Sequence, residues 1–178
     1  TFSENQAAAP ITSSITITDA DNTTLNGATV TISSNYLSGE DFLSFTDANG
    51  ITGTFNNGTM TLIGPALIED YQAALRSITY TNTSNAPSTT TRTIQINVID
   101  DTNTSNTLSR NIDITPTNDL PVLATLESSD IPYNENAGEV SLSATIEASD
   151  IDNSKLENAT ITITSGYAEG QDVLSFAT

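Results

Sequence analysis

Residues 19–45, DADNTTLNGATVTISSNYLSGEDFLSF, return without a gap as residues 150–176, DIDNSKLENATITITSGYAEGQDVLSF. The offset is 131 positions, and it holds further upstream, where Phe2, Glu4 and Asn5 fall on Tyr133, Glu135 and Asn136. Self-similarity at a fixed spacing marks a tandem array, in which one supersecondary unit is stacked many times. The chain therefore reads as one whole repeat and the opening part of a second. We place the first repeat at 1–117, a linker at 118–121 and the partial repeat at 122–178. A start in mid-repeat is what a piece of a longer array would show.

Twenty-two acidic side chains face four basic ones, a net charge of −18. Nucleic acid binding needs clustered Lys and Arg, so that class is set aside. Anionic membrane surfaces are set aside for the same reason. So strong a like charge repels itself in the folded state. A hard cation taken up by carboxylates relieves that repulsion, and oxygen ligands point to calcium. There is no Cys and no His, which removes disulfides and thiol or imidazole catalysis. No run of about 18 apolar residues exists, so no helix-type membrane insertion is expected. Low hydrophobic content is offset by abundant Thr, a strand former, so the chain is not read as disordered.

Taken in order, Thr1–Pro10 is a lead-in strand or linker. Ile11, Ile15 and Ile17 in ITSSITIT suggest a half-buried strand, stopped by the turn formers Asp19–Asn22. Ala28, Val30 and Ile32 alternate with Thr in a second strand, and Phe42–Phe45 is a third. Thr52–Phe55 and Thr59–Ile63 flank Asn57-Gly58, whose positive φ angles suit a tight hairpin. Gly64-Pro65 leads into the only helix expected, Ala66–Leu75, with Glu69 and Asp70 early and Arg76 closing it. Its Leu67, Tyr71, Ala74 and Leu75 are expected to plug one end of the core. Strands follow at Ser77–Thr81, around Ile94, Ile96 and Val98, and at Leu108–Ile114. Seven or more short strands with frequent turns predict an all-β sandwich with one short helix, followed by the first strands of a second.

Asn118-Asp119-Leu120-Pro121-Val122 resembles the NDxPV junction between cadherin-like repeats of large bacterial surface adhesins. Asp19-Ala20-Asp21 and Asp150-Ile151-Asp152 resemble the cadherin DxD calcium motif. Glu4 and Glu135 are similar to the acidic residue near a cadherin repeat's first strand, and DYQAALRSITYTNTS (70–84) is similar to adhesin repeats. The resemblance implies an immunoglobulin/cadherin-like sandwich on the cell surface or secreted. It also implies that Asp150 and Asp152 meet Asn118 and Asp119 at one calcium ion, with Glu4 reaching the same junction. Thr117 and Leu120 stand where animal cadherin junctions carry a further Asp and Asn, a departure that implies fewer or weaker ions.

The residues make a separate case. Calcium takes six to eight oxygens from carboxylates, amides and carbonyls. Two carboxylates two residues apart point to one side of an extended stretch. Asp19, Asp21, Asp150 and Asp152 are the leading ligand candidates. Asp100 and Asp101 are the weaker ones, and each Asp has a plain alternative as a turn former. Asp41, which recurs as Asp172, is read as a loop cap, and Tyr36 and Tyr167 as packing residues. Paired carboxylates also suit glycoside hydrolysis, but that needs a cleft with aromatic platforms. The chain has no Trp. Acids that recur in each repeat suit structure better than a unique active site, so no enzyme is expected.

Three readings of function stay open at this point. One is a stalk module of a bacterial adhesin, stiffened by calcium and carrying a distal adhesive domain. Another is a filament or surface-layer subunit, in which residues 132–178 of one copy replace residues 1–47 of an identical chain by strand exchange. The third is a carbohydrate- or protein-binding module using its loop ends.

Overall fold

The computed structural model describes residues 1–101 and 103–176. Its contacts divide the chain between Asp119 and Leu120, inside the expected linker, into a first and a second unit. The first unit is an all-β sandwich with one short helix. One layer has five strands in the order β5 (Thr52–Asn56), β6 (Thr59–Leu67), β3 (Thr24–Ser34), β8 (Arg92–Ile99) and β9 (Leu108–Ile112). The other has β2 (Ala9–Pro10), β7 (Thr79–Asn82) and β4 (Asp41–Ser44). A parallel ribbon of β1 (Phe2–Ser3) and β10 (Ile114–Thr115) runs beside them.

β3 is the central strand because its sequence serves both faces. Ala28, Val30 and Ile32 point into the core, while Thr29 and Thr31 bond to Asn97 and Thr59 side chains on the other face. Burying an aliphatic side chain of this size contributes about 1.5–3 kcal/mol. The facing residues Ile94, Ile96 and Val98 of β8 and Met60 and Leu62 of β6 complete that layer's inner face. Phe2 of β1 sets its ring edge-on to Tyr80 of β7, centroids 5.1 Å apart, and so closes the core from the second layer. The Asn57-Gly58 turn forms as expected, with φ of 44° and 79°.

Two expectations are corrected. Residues 11–18 form no ladder: Ile11 is buried and Ile15 and Ile17 are half-buried, but the segment is held by side chains of the helix. Gln72 Oε1 accepts the amide of Ile17, and the Arg76 guanidinium donates twice to the carbonyl of Ile15. The helix, α1, spans Ile68–Ser77 and starts later than expected, because β6 continues through Gly64-Pro65 to Leu67. Those two residues lie opposite Asn26 alone, where the β3–β6 register shifts. Such a bulge tolerates a proline, whose missing N–H would otherwise break the ladder. Tyr71, Ala74 and Leu75 of α1 are buried, whereas Leu67 belongs to the strand and is exposed.

The second unit contains a single described ladder, β11 (Val122–Ala124) with β12 (Glu147–Ser149), antiparallel. Of the early strands expected in this unit, the counterpart of Thr16–Thr18 forms as β12, while the counterparts of β3 and of Phe42–Phe45 do not form. Residues 155–165 repeat the β3 sequence yet carry no strand. Propensity cannot explain the difference, since the residues are so similar. A strand needs partners, and the described residues of this unit include nothing corresponding to β6 or β8. Ile161, the counterpart of Val30, is accordingly 68% exposed where Val30 is 0%. Local order survives without the sheet: Glu127 accepts bonds from the Ser143 hydroxyl and the Ala144 amide. Those bonds lower the Glu127 carboxyl to about 2.

Candidate functional site

The acidic residues divide between turns and the end of the first unit. Asp19 Oδ1 accepts the amides of Asp21 and Asn22 at 2.9 and 2.8 Å. Asp150 Oδ1 accepts those of Asp152 and Asn153 at the same 2.9 and 2.8 Å. Each DxD is thus an Asx turn rather than an extended stretch, and one oxygen of its first Asp is committed to the backbone. The idea that both carboxylates share one side of a strand is corrected by that turn.

Glu4 is placed by the β1–β10 ribbon. The amides of Phe2 and Glu4 donate to the carbonyls of Asp113 and Thr115. This register carries the Glu4 side chain to the start of the linker, where Oε2 accepts the amide of Thr117 at 2.8 Å. Glu4 is only 5% exposed there, one residue from Asn118-Asp119. Glu135, its counterpart, is exposed, though Asn136 keeps the left-handed φ of Asn5, 64° against 59°.

Asp100 Oδ1 accepts the amide of Asn103 at 2.6 Å, and Asp101 Oδ1 accepts the side-chain amide of Asn26. Asp19 and Asp100 line one cavity of about 320 Å³ together with Ile15–Thr18, Asn97 and Asn103. Among the described residues no three acidic side chains converge on one point. A calcium ion bound by these residues would therefore draw many of its oxygens from amides and carbonyls.

One polar centre was not visible as such in the sequence. Asp41 Oδ1 accepts from the Tyr80 hydroxyl at 2.5 Å and from Asn82 Nδ2 at 2.8 Å. Arg92 Nε lies 3.2 Å from Asp41 Oδ2, and its Nη1 donates to the carbonyls of Ser88 and Thr90. Asp41 Oδ2 also accepts the amide of Leu37, so the residue does cap its loop. Asp172 Oδ2 caps the amide of Ala168 in the same way, at 2.7 Å. Burial, reinforced by the Asp41 carboxylate, pushes the Tyr80 hydroxyl well above its ordinary range, and burial alone raises that of Tyr71. Sealed from solvent, the pair joins β4, β7 and β8 and holds the 37–41 and 88–90 loops to the core.

Comparison with known proteins places part of the chain. An alignment 80 positions long, covering 41% of the chain, is 40% identical to halomucin of Haloquadratum walsbyi (strain DSM 16790 / HBSQ001). It corresponds to 1% of that protein's length, so the likeness is to a small part of a very large protein. No family model matches the chain, and no solved structure matches it. Among the described residues no helix is long and apolar enough to cross a membrane.

Proposed function

We propose that this chain is a structural module of a long extracellular array of β-sandwich repeats, a stalk that holds more distal parts away from a cell surface. The observation that carries the reading is the recurrence of local geometry, not only of letters. The Asx turns at Asp19 and Asp150, the loop caps at Asp41 and Asp172 and the left-handed Asn5 and Asn136 all repeat. A unit whose turns are set before its sheet is complete is suited to serial addition of neighbours. The partial likeness to halomucin supports a large extracellular protein. An antibody raised against residues 1–119 should label intact source cells without permeabilisation. Labelling only after lysis would sink the surface assignment.

Calcium is part of the proposal. Glu4, buried beside Thr117, supplies one carboxylate at the linker, and Asn118 and Asp119 follow it. Asp150 and Asp152 completing that set, as the adhesin resemblance implies, stays part of the same proposal. A bound ion there would stiffen the junction by tying the linker to its neighbours.

A second reading has its own observation. Ile161, Leu174 and Phe176 are exposed although their counterparts Val30 and Leu43 are buried and Phe45 packs against the core. Strand exchange between identical chains would cover them and build a filament. Light scattering across a range of concentrations decides it. A chain that stays monomeric at high concentration removes the filament.

A further inference from the structure

The second unit makes a strand pair for which the first has only half. Val122, Leu123 and Ala124 pair antiparallel with Ser149, Ala148 and Glu147. By the 131-residue offset, Glu147–Ser149 correspond to Thr16–Thr18. In the first unit that stretch has no ladder partner among the described residues. Its burial nevertheless alternates, with Ile15 and Ile17 half-buried and Thr16 and Thr18 exposed, the period of an extended strand.

The backbone of this stretch is engaged on one side only. Ile15 and Ile17 turn their main-chain groups to Arg76 and Gln72 of α1. In an extended chain the groups of Thr16 and Thr18 then face the other way. The cavity bounded by Ile15–Asp19 is lined by no residue of α1. Its walls combine the apolar Leu25, Ile96, Val98 and Leu108 with a polar side that includes Asn97, Asp100, Asn103 and Ser105. The approach to the edge is also repeated. Ser14 donates its amide to Thr12 Oγ1 as Thr145 does to Ser143 Oγ.

From this we infer that the cavity beside Thr16–Thr18 is the berth of a β-strand, and that its occupant is a second copy of this chain's own Val122-Leu123-Ala124 segment. In the array the strand that leaves one module would be added to the sheet edge of the next, by the pairing already present in the second unit. Leu123 is 71% exposed in its own unit, where the described residues include no counterpart of β8 to form a floor. In the berth its side chain would stand opposite Ile17 and over Val98 and Leu108. Main-chain bonds would supply the affinity, and the apolar part of the wall the register.

The inference rests on the tandem-array reading, and its test is separate from the surface labelling that decides where the array stands. Residues 118–131 are duplicated ahead of Thr1 in the full chain, which keeps the repeat spacing and holds the strand at high effective concentration. Hydrogen exchange is then followed residue by residue. The amides of Thr16 and Thr18 should slow by about tenfold or more against the unextended chain. Leu123→Asp within the added segment should cancel the protection. Unchanged exchange at Thr16 and Thr18 overturns the inference. So does faster exchange at the original Val122–Ala124 with none slowed at Thr16 and Thr18, which would mean that the added strand displaces it in the second unit instead. A chain that no longer folds with the extension also counts against it, since a strand that fits cannot abolish the fold it completes.

Discussion

Asp41 and Arg92, 51 positions apart, form an ion pair with neither side chain exposed to water. Removing one partner of such a pair leaves the other as an uncompensated buried charge, which costs about 3–5 kcal/mol. Asp41→Asn keeps one oxygen, which can serve the Leu37 amide or the Tyr80 and Asn82 donors but not both sets, and abandons the arginine. Arg92→Met abandons the carboxylate. Each should lower stability in urea by about that amount. The double variant should cost clearly less than the two added together, because no charge is then left alone. Additive losses would show that the pair is not coupled.

The same centre sets an alkaline limit. Tyr80 and Tyr71 both have hydroxyls raised by burial, and the Asp41 carboxylate adds to the rise at Tyr80. A raised acid keeps its proton in the folded state after the unfolded chain has lost it. The unfolded state then binds fewer protons, and stability falls as pH rises. The contribution is whole below the unfolded tyrosine value of about 10 and is lost progressively above it. Urea midpoints should therefore drop beyond that pH. Tyr71→Phe/Tyr80→Phe should flatten the drop, and a drop of unchanged size would place its cause elsewhere.

Gly64 cannot be replaced cheaply. Its φ is +132°, and a Cβ there would stand 2.2 Å from the carbonyl oxygen of Gly50, a backbone atom that has no freedom to swing aside. Its own carbonyl accepts the Tyr71 hydroxyl at 2.7 Å, so the bulge is tied to the helix. Gly64→Ala combines a strained backbone with a clash and should cost about 3 kcal/mol or more. Gly39→Ala is the control, with a positive φ but open space around it, and should cost only the backbone strain. Equal losses at the two positions would refute the role of the contact.

These residues show what a sequence can display. The alternation at Ile94, Ile96 and Val98 and the Asn57-Gly58 turn were legible, because periodicity and turn chemistry are local. The ITSSITIT stretch shows the same period yet has no ladder, since alternation records which face is buried and not whether a partner strand is there. By its local sequence Pro65 suits the lead-in to a helix, because a bulge is a property of two strands together. The ion pair had a visible half: Arg92 occupies the inward register of Ile94, Ile96 and Val98, where a charge demands a partner. Which carboxylate answers it depends on pairing β4 with β7, a contact no short window of sequence contains. Asp19 and Asp150 were legible as turn formers. Their role as ligands depends on neighbours that spacing alone does not supply.

The net charge of −18 makes stability depend on salt. Most carboxylates lie on the surface, so their mutual repulsion is screened, whereas the sealed Asp41–Arg92 attraction is not. Raising ionic strength from 0.01 to 1 M shortens the screening length from about 30 to about 3 Å. The melting temperature should rise steadily over that range, equally for sodium and potassium chloride. A flat profile would mean that surface repulsion contributes little to the folded state.

Calcium should add to this effect and be separable from it. At fixed ionic strength screening is constant, so a further rise with calcium reports binding to the folded state. With about 4 °C for each kcal/mol in a domain of this size, the melting temperature should rise by several degrees and fall back with chelator. Glu4→Gln then locates the ion. Glutamine retains an oxygen to accept the Thr117 amide, so the β1–β10 register survives, while the carboxylate charge is gone. The variant should keep its melting temperature without calcium and lose most of the calcium increment. Asp101→Asn, at the weaker candidate, should leave the increment intact. If Glu4→Gln responds to calcium as fully as the parent chain, the ion is not at the linker; if neither chain responds, calcium has no part in stiffening this module.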